Sequence, residues 1–196
     1  MMYIIFAIIA SYLLGSVPFG LIITHLAGKE DIRQVGSKSI GATNVMRVGG
    51  FRLAALTWIL DMAKAIAAVV IGWTVGGVDM GAWCGFAAIV GHCYPIWLRF
   101  RGGKGISSLF GVILTISPLT FIFSGLAWLV VSLSTGYSSL GATVVFMLLP
   151  LYGFAIGNTV GWAFVAIALI CLWRHRANIG RLVGGTESKI VWKWKK

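Results

Sequence analysis

Residues 106–135 read ISSLFGVILTISPLTFIFSGLAWLVVSLST, thirty positions without one Lys, Arg, His, Asp or Glu. A membrane-crossing helix needs about 20 apolar residues, at 1.5 Å each, for a hydrocarbon core of about 30 Å. The run is too long for one crossing, and Pro118 marks where it divides. Residues 118–135 then make a full crossing, while 106–117 supply only about 18 Å of helix. Such a piece cannot span unaided. Either it tilts while the preceding loop dips into the membrane, or it is a half-helix whose N-terminus faces a polar cavity.

Outward from this stretch, the same criterion selects 2–27, 52–76, 80–98, 141–157 and 159–174, which makes seven segments. The expected fold is all-α: a single integral membrane domain over 1–196 with seven transmembrane helices and a short fourth one. Composition points the same way. Hydrophobic residues make up 59% of the chain against the usual 45–50%, and only 11% are charged, too few to solvate a soluble fold of this kind. The first segment is too long, and too poor in N-terminal charge, for a removed signal peptide and reads as a retained anchor. The 26 glycines suit helices that approach closely in lipid.

Sixteen Lys and Arg oppose five acids, a formal net charge of +11. A basic balance can mean nucleic acid or a membrane flank, and position decides between them. Lys29, Arg33, Lys38, Arg47 and Arg52 form one cluster; Arg99, Arg101 and Lys104 a second. Arg174, Arg176, Arg181, Lys189, Lys193, Lys195 and Lys196 form a third, which leaves only Lys64 inside an apolar run. With the N-terminus outside and the C-terminus cytoplasmic, seven crossings put all three clusters on the cytoplasmic face. The opposite turns, near 76–79, Pro118 and Asn158, carry no Lys or Arg. A membrane partner is therefore expected, and no nucleic acid. Cys84, Cys93 and Cys171 stand singly in apolar stretches, which suits packing rather than disulfides or zinc.

The polar groups collect on that basic face. The segment 36–47 reads GSKSIGATNVMR and combines Gly36, Ser37, Asn44 and Arg47: glycines that free backbone N–H groups, hydroxyl and amide donors, and a guanidinium fork that matches phosphate. Gly102-Gly103-Lys104-Gly105 runs into a helix start, where unpaired N–H groups and a full positive charge make an anion site. Two such loops favour a pocket that handles phosphate. No Gly stands five residues before Gly103, and Lys104 is followed by Gly105, so the ATPase phosphate loop does not fit. The dinucleotide pattern fails too, with Ser108 at its last glycine and no preceding strand. Glu30, Asp31, Asp61, Asp79 and Glu187 are too scattered for a metal cage, so neither metal nor cofactor is expected.

Of the three histidines, none is followed five positions on by Asp, which excludes the soluble-type acyltransferase signature. His25 reads as an interfacial side chain. His92, in Gly91-His92-Cys93-Tyr94-Pro95, fits a structural or a functional role equally. His175 lies three residues before Asn178 and shares a helix face with it if the last helix continues. Asp61 and Lys64 have the same spacing inside the second segment and read as a structural ion pair. Ser138 and Ser139 follow Gly136-Tyr137 in the remaining cytoplasmic turn, where Ser139 suits a hydrogen-bond donor. The terminal Trp192-Lys193-Trp194-Lys195-Lys196 fits an anionic headgroup interface or a disordered tail.

Three regions together, GSKSIGATNVMR at 36–47, GHCYP at 91–95 leading into GGKG at 102–105, and RHRANIGRL at 174–182 with Glu187, resemble the signature regions of the bacterial acyl-phosphate:glycerol-3-phosphate acyltransferases (PlsY). The similarity covers essentially the whole chain. It implies a multi-pass inner-membrane enzyme, facing the cytoplasm, that moves a fatty acyl group from acyl-phosphate to the sn-1 hydroxyl of glycerol 3-phosphate. The products would be phosphate and lysophosphatidic acid, in phospholipid biosynthesis.

By that resemblance Ser37, Arg47, Lys104, His175 and Asn178 are the catalytic residues expected. Gly36, Asn44, Gly102, Gly103, Gly105, Ser139 and His92 would line the substrate, Glu187 would be structural, and the enzyme would work as a monomer. The sequence departs from the family pattern where Gly-Asn usually follows Gly-Ser, since Lys38 and Ser39 stand there. It departs again at Ala65 and Ala142, in place of a Gly and a second Ser. The mixed anhydride needs no covalent enzyme intermediate, so positioning and charge stabilisation would suffice, with His175 or a substrate phosphate oxygen as base.

Overall fold

The computed structural model describes residues 1–190 and is helical throughout its ordered elements; the Trp-Lys tail at 192–196 lies outside the described residues. Seven helices follow in order: α1 (Met2–Gly15), α2 (Phe19–Leu26), α3 (Ala42–Cys93), α4 (Ile106–Ile116), α5 (Pro118–Thr135), α6 (Ser138–Ile156) and α7 (Asn158–Val183). The chain divides into two compact units, Met1–Ser117 and the part from Pro118 onward. Among the described residues five helical stretches are long and apolar enough to cross a membrane, and α4 is a shorter apolar helix.

In the first unit the expected segment 2–27 is interrupted, because Pro18 has no N–H to donate and pushes Val17 away from the α conformation. The stretch Ala42–Leu98 has 57 residues, about 86 Å if straight, far more than one bilayer. It does not run straight. Gly50 (φ 81°) and Gly77 (φ 65°), with Gly76 beside it, leave helical geometry and cut α3 into three pieces. The second and third pieces fold back on each other. A Cβ at Gly72 would strike the backbone of Met80 and Gly81, and one at Gly85 would crowd Val69. The expected segment 80–98 ends its α-helix at Cys93, because Pro95 cannot continue it and Ile96–Leu98 tighten into a 3-10 turn.

α1 packs on the third piece of α3 with almost no side chain between them. A Cβ at Gly15 would enter the backbone of Ala88, and one at Gly91 would meet Tyr12 and Ser16. The Tyr12 hydroxyl donates to the Tyr94 carbonyl at 2.8 Å and fixes the register of the pair. α4 lies as closely on the second piece, since a Cβ at Gly111 would strike the Met62 carbonyl.

In the second unit α6 packs on α7 through Gly153 and Gly161, and on α5 through Gly141 against Trp128 and Ser132. α6 begins at Ser138, so Ser138 and Ser139 stand in its first turn rather than in the loop expected for them. Ser is favoured at a helix start, and hydropathy alone did not register that. α7 runs on past 174 to Val183, because Arg, Ala and Asn end an apolar run without ending a helix.

Both units keep an apolar interior, with Ile89, Leu109, Phe146 and Phe164 fully buried, and add an apolar exterior that a soluble protein would not carry. Ile4, Phe6, Val130, Leu133, Met147 and Leu151 face outward, while Ala65, Ala68, Ala82, Ala88, Ala142 and Ala163 are buried. Only 17% of the most apolar window of α5 is buried. Faces of this kind belong against lipid tails, where small residues bring helices together.

The packing predicts opposite effects for two glycines. Gly15→Val should lower the thermal unfolding midpoint of the detergent-purified protein, at an overpacking cost of about 1–3 kcal/mol. Gly180→Ala, on a part of α7 with nothing within 4 Å of the new methyl, should raise it through helix propensity.

Candidate active site

The loop from 28 to 41, between α2 and α3, closes over a small apolar core of Ile32, Ile40, Val45 and Ala54, against which Leu21, Val48, Leu53 and Leu98 pack. Asn44, buried in the first turn of α3, organises it. Its Nδ2 donates to the carbonyls of Ile32 (2.7 Å), Ser39 (2.9 Å) and Val35 (3.1 Å), and its Oδ1 accepts the Ser37 N–H at 2.9 Å. The Asn44 amide is thus engaged by the loop itself. Gly36, at φ 63°, lies so close that a Cβ there would strike Asn44 Oδ1 and stand 3.6 Å from Arg47 Cδ. The result places Gly36, Ser37 and Arg47 side by side and exposed. Lys38, beside them, holds φ 56°, a left-handed conformation that suits glycine.

The second loop folds back on the end of α3. Gly103 N–H donates to the His92 carbonyl at 3.0 Å and Gly102 N–H to the Cys93 carbonyl at 3.1 Å. Neither glycine could carry a side chain, since a Cβ at Gly103 would run into the His92 ring and one at Gly102 into Pro95 and the His92 carbonyl. Gly105, at φ 86°, then turns the chain into α4, and Lys104 stands half-buried before that turn. The loop therefore presents a lysine at a helix N-terminus, where backbone N–H groups point outward. Leu98 packs on the core under the first loop, so the two loops of this unit share one foundation.

In the second unit α7 places His175 and Asn178 one turn apart, both buried. His175 Nδ1 lies 2.9 Å from the Cys171 carbonyl, an arrangement that makes Nδ1 the donor and leaves Nε2 as the basic nitrogen. Its ring meets Phe146 edge-on with centroids 5.0 Å apart. Beyond α7 the chain returns to the start of α6: Ile190 N–H donates to the Gly136 carbonyl at 2.8 Å. Glu187 anchors this return. Its Oε1 accepts the Asn178 amide at 2.6 Å and the Ser139 hydroxyl at 2.8 Å, and its Oε2 accepts Arg181 Nε at 2.6 Å. Among the described residues no three His, Cys, Asp or Glu side chains gather as a metal ion would need.

The family model described as glycerol-3-phosphate acyltransferase matches residues 5–185. The chain belongs to the glycerol-3-phosphate acyltransferase family. A member from Rhizobium etli (strain ATCC 51251 / DSM 11541 / JCM 21823 / NBRC 15573 / CFN 42) is 46% identical over 188 residues, covering 94% of this chain and 90% of that protein. One from Agrobacterium fabrum (strain C58 / ATCC 33970) is 43% identical over 185 residues, with the same coverage. The fold is similar to a crystal structure of PlsY, an integral membrane glycerol 3-phosphate acyltransferase, in its glycerol 3-phosphate form. That likeness has a TM-score of 0.91 at 35% identity and covers 96% of both chains. The lysophosphatidic acid form of PlsY gives 0.89 at 34% identity, covering 96% of this chain and 95% of that one. The protein is accordingly an acyltransferase, and its place in phospholipid biosynthesis follows from the family.

Within each unit the residues nominated from sequence come together: Gly36, Ser37, Asn44 and Arg47 around the first loop, His92 with Gly102 to Gly105 around the second, Ser139 with Asn178 around Glu187. Two features were not legible. The Ser139 hydroxyl and the Asn178 amide both meet Glu187, which is 48 residues from Ser139. Lys64 Nζ, 2.7 Å from Asp61 Oδ1 as the i, i+3 spacing suggested, also lies 3.1 Å from His92 Nδ1, 28 residues away. No local periodicity encodes either contact.

Burial alone would push the Glu187 carboxyl up, but hydrogen bonds from Asn178, Ser139 and Arg181 outweigh it and hold the carboxyl below its usual value. The folded state then binds fewer protons than the unfolded one in that range, so stability rises with pH there. The contribution is complete above the unfolded carboxylate value and is lost as pH falls through the folded one. Glu187→Gln should therefore lower the thermal midpoint at neutral pH, with the gap to wild type closing as pH falls below the ordinary carboxylate range. At the other loop, Lys38→Gly should raise stability by about 0.5–1 kcal/mol, the relief of left-handed strain less the extra entropy of a glycine. Thermal unfolding of both variants checks these expectations.

Proposed function

We propose that this acyltransferase takes its acyl group from acyl-phosphate and delivers it to the sn-1 hydroxyl of glycerol 3-phosphate, releasing phosphate and forming lysophosphatidic acid. The observation that carries this reading is the Gly102-Gly103-Lys104-Gly105 turn at the start of α4, in a chain so similar to a PlsY whose crystal form holds glycerol 3-phosphate. The protein works as a single domain over 1–196 and as a monomer in the bacterial inner membrane. Seven crossings, with α3 supplying two, put the N-terminus outside and the basic loops in the cytoplasm. This orientation agrees with the distribution of Lys and Arg.

Acyl-phosphate carries its own leaving group, so transfer can be direct. The hydroxyl oxygen of glycerol 3-phosphate attacks the acyl carbon, the bond from that carbon to the phosphate oxygen breaks, and the hydroxyl proton passes to a base. Lys104 and the α4 N-terminus hold the glycerol 3-phosphate phosphate, on a turn that Gly102 and Gly103 seat against His92 and that Gly105 leads into α4. Arg47, beside Gly36 and Ser37, offers a planar fork for the departing phosphate, and the Ser37 hydroxyl adds a hydrogen bond. His175, Asn178 and Ser139 orient the attacking hydroxyl. The base is His175 through Nε2, or a phosphate oxygen of the substrate. Asn44 holds the first loop in shape and His92 the second.

The test is phosphate release by the detergent-purified protein given palmitoyl-phosphate, with lysophosphatidic acid identified as product. Release should require glycerol 3-phosphate as well, and Lys104→Ala should reduce kcat/KM by roughly 100-fold, in line with removal of one charged contact to the reacting groups. A folded sample without turnover, whether given palmitoyl-phosphate, acyl-CoA or acyl-carrier protein, would overturn the reading. Near-normal turnover by His175→Gln would leave the phosphate oxygen as base.

A further inference from the structure

Asp61 and Lys64 join His92 in a buried polar cluster, and none of the steps above uses the pair. The three exposures are 1%, 3% and 3%; Asp61 and Lys64 lie inside an apolar piece of α3, where ionisable groups are rare unless they do something, and His92 is one residue from the end of the helix. The Lys64 ammonium forms an ion pair with Asp61 at 2.7 Å and hydrogen-bonds the Val17 carbonyl at 2.8 Å and His92 Nδ1 at 3.1 Å. Val17 is the residue before Pro18, at the gap between α1 and α2. An ammonium has no lone pair, so His92 Nδ1 must accept, and its proton sits on Nε2. Asp61 Oδ1 lies 3.6 Å from Nδ1, beyond a hydrogen bond that would favour the other tautomer. The Nε2 edge of the ring faces Gly103, where a Cβ would collide with it, and the His92 carbonyl holds the Gly103 N–H.

We propose that Asp61 and Lys64 are positioning residues of the enzyme. They fix the tautomer and ring plane of His92, and through His92 they set the Gly102-Gly103-Lys104-Gly105 turn against which the phosphate of glycerol 3-phosphate rests. This rests on the reading of that turn given above. The pair acts on one substrate, glycerol 3-phosphate, and not on the acyl donor.

The experiment separates positioning from stability. Lys64→Met leaves a buried carboxylate without its cation and destabilises the protein. Asp61→Leu with Lys64→Met removes both charges, and apolar replacement of a whole buried pair is commonly neutral or stabilising. The double variant should recover part of the thermal midpoint, the remainder being lost with the bond to the Val17 carbonyl, while its KM for glycerol 3-phosphate stays about tenfold raised, the order expected for one lost charge-assisted hydrogen bond. Its KM for palmitoyl-phosphate should stay within about twofold of wild type, as for a site it does not touch. A double variant with both KM values at the wild-type level would overturn the proposal and leave the pair purely structural.

A second measurement needs no variant of the pair. Nitrogen-15 spectra of histidine-labelled wild-type protein, with the His92 signals assigned by difference from His92→Gln, should show the Nε2–H tautomer. The Nδ1–H tautomer or an imidazolium at His92 would overturn the proposal whatever the kinetics. Absence of acyl transfer by the wild type would instead remove the functional reading and leave the tautomer result standing.

Discussion

Hydrocarbon offers the backbone no hydrogen-bond partner, so a helix that stops or bends at membrane depth has to be closed by another part of the protein, and the loops beyond are held in the same way. Four closures carry the fold. Lys64 takes the Val17 carbonyl at the break between α1 and α2, and Asn44 takes three carbonyls and one N–H of the 28–41 loop. The carbonyls of His92 and Cys93 take the N–H groups of Gly103 and Gly102, and Glu187 anchors the return of the chain after α7. In each case one side chain or one helix end organises a whole loop. A charged or amide group in such surroundings is costly by itself, and the cost is offset only when nearly all of its donors or acceptors are engaged. Asn44 meets that condition in full, and Lys64 adds an ion pair with Asp61 to its two hydrogen bonds.

The helices obey the complementary rule. Lipid tails are as apolar as leucine, so there is little gain in burying a large side chain between two helices, and close backbone contact decides instead. That is why Gly15 meets Ala88, Gly111 meets Met62 and Gly153 meets Gly161, while many bulky aliphatic residues can stay on the outer surface. Close approach also fixes where the loops begin. α1 and the third piece of α3 are locked by the Gly15 and Gly91 contacts and by the Tyr12 hydroxyl on Tyr94, so Pro95 and the glycine turn beyond it start from a defined point.

What sequence reading could see follows from the same physics. Hydropathy reports contact with lipid, so the apolar stretches were legible, as was the division at Pro118. Hydropathy does not report helix ends, and the differences lie there: Pro18 interrupts α1 before the apolar run ends, α7 outlasts its apolar run to reach Val183, and Ser139 belongs to α6 rather than to the turn before it. The spacing of Asp61 and Lys64 was visible because helix periodicity is local. Their junction with His92, and that of Ser139 with Glu187, depends on how distant segments pack, which no local pattern records. Lys38 is the instructive departure. The resemblance leads one to expect a glycine there, and the backbone at Lys38 holds the left-handed conformation that suits glycine, while Asn44 ties down the loop on both sides of it.

The same arrangement divides labour between two kinds of polar residue. Asn44, Lys64, His92 and Glu187 are largely enclosed, with partners inside the protein, and define shape. Ser37 and Arg47 are exposed and Lys104 is half-buried, at turns those enclosed residues hold rigid. A cation that must receive a phosphate anion is best left in contact with water before binding, since a buried one would need an internal counter-ion that substrate would have to displace. Its position, by contrast, has to be settled in advance, because charge stabilisation in a transition state depends on groups that do not have to move. Enclosed residues can supply that rigidity without competing for the substrate. Accessible cations at these turns therefore need enclosed polar groups behind them, and the glycines between the two sets keep the distance short.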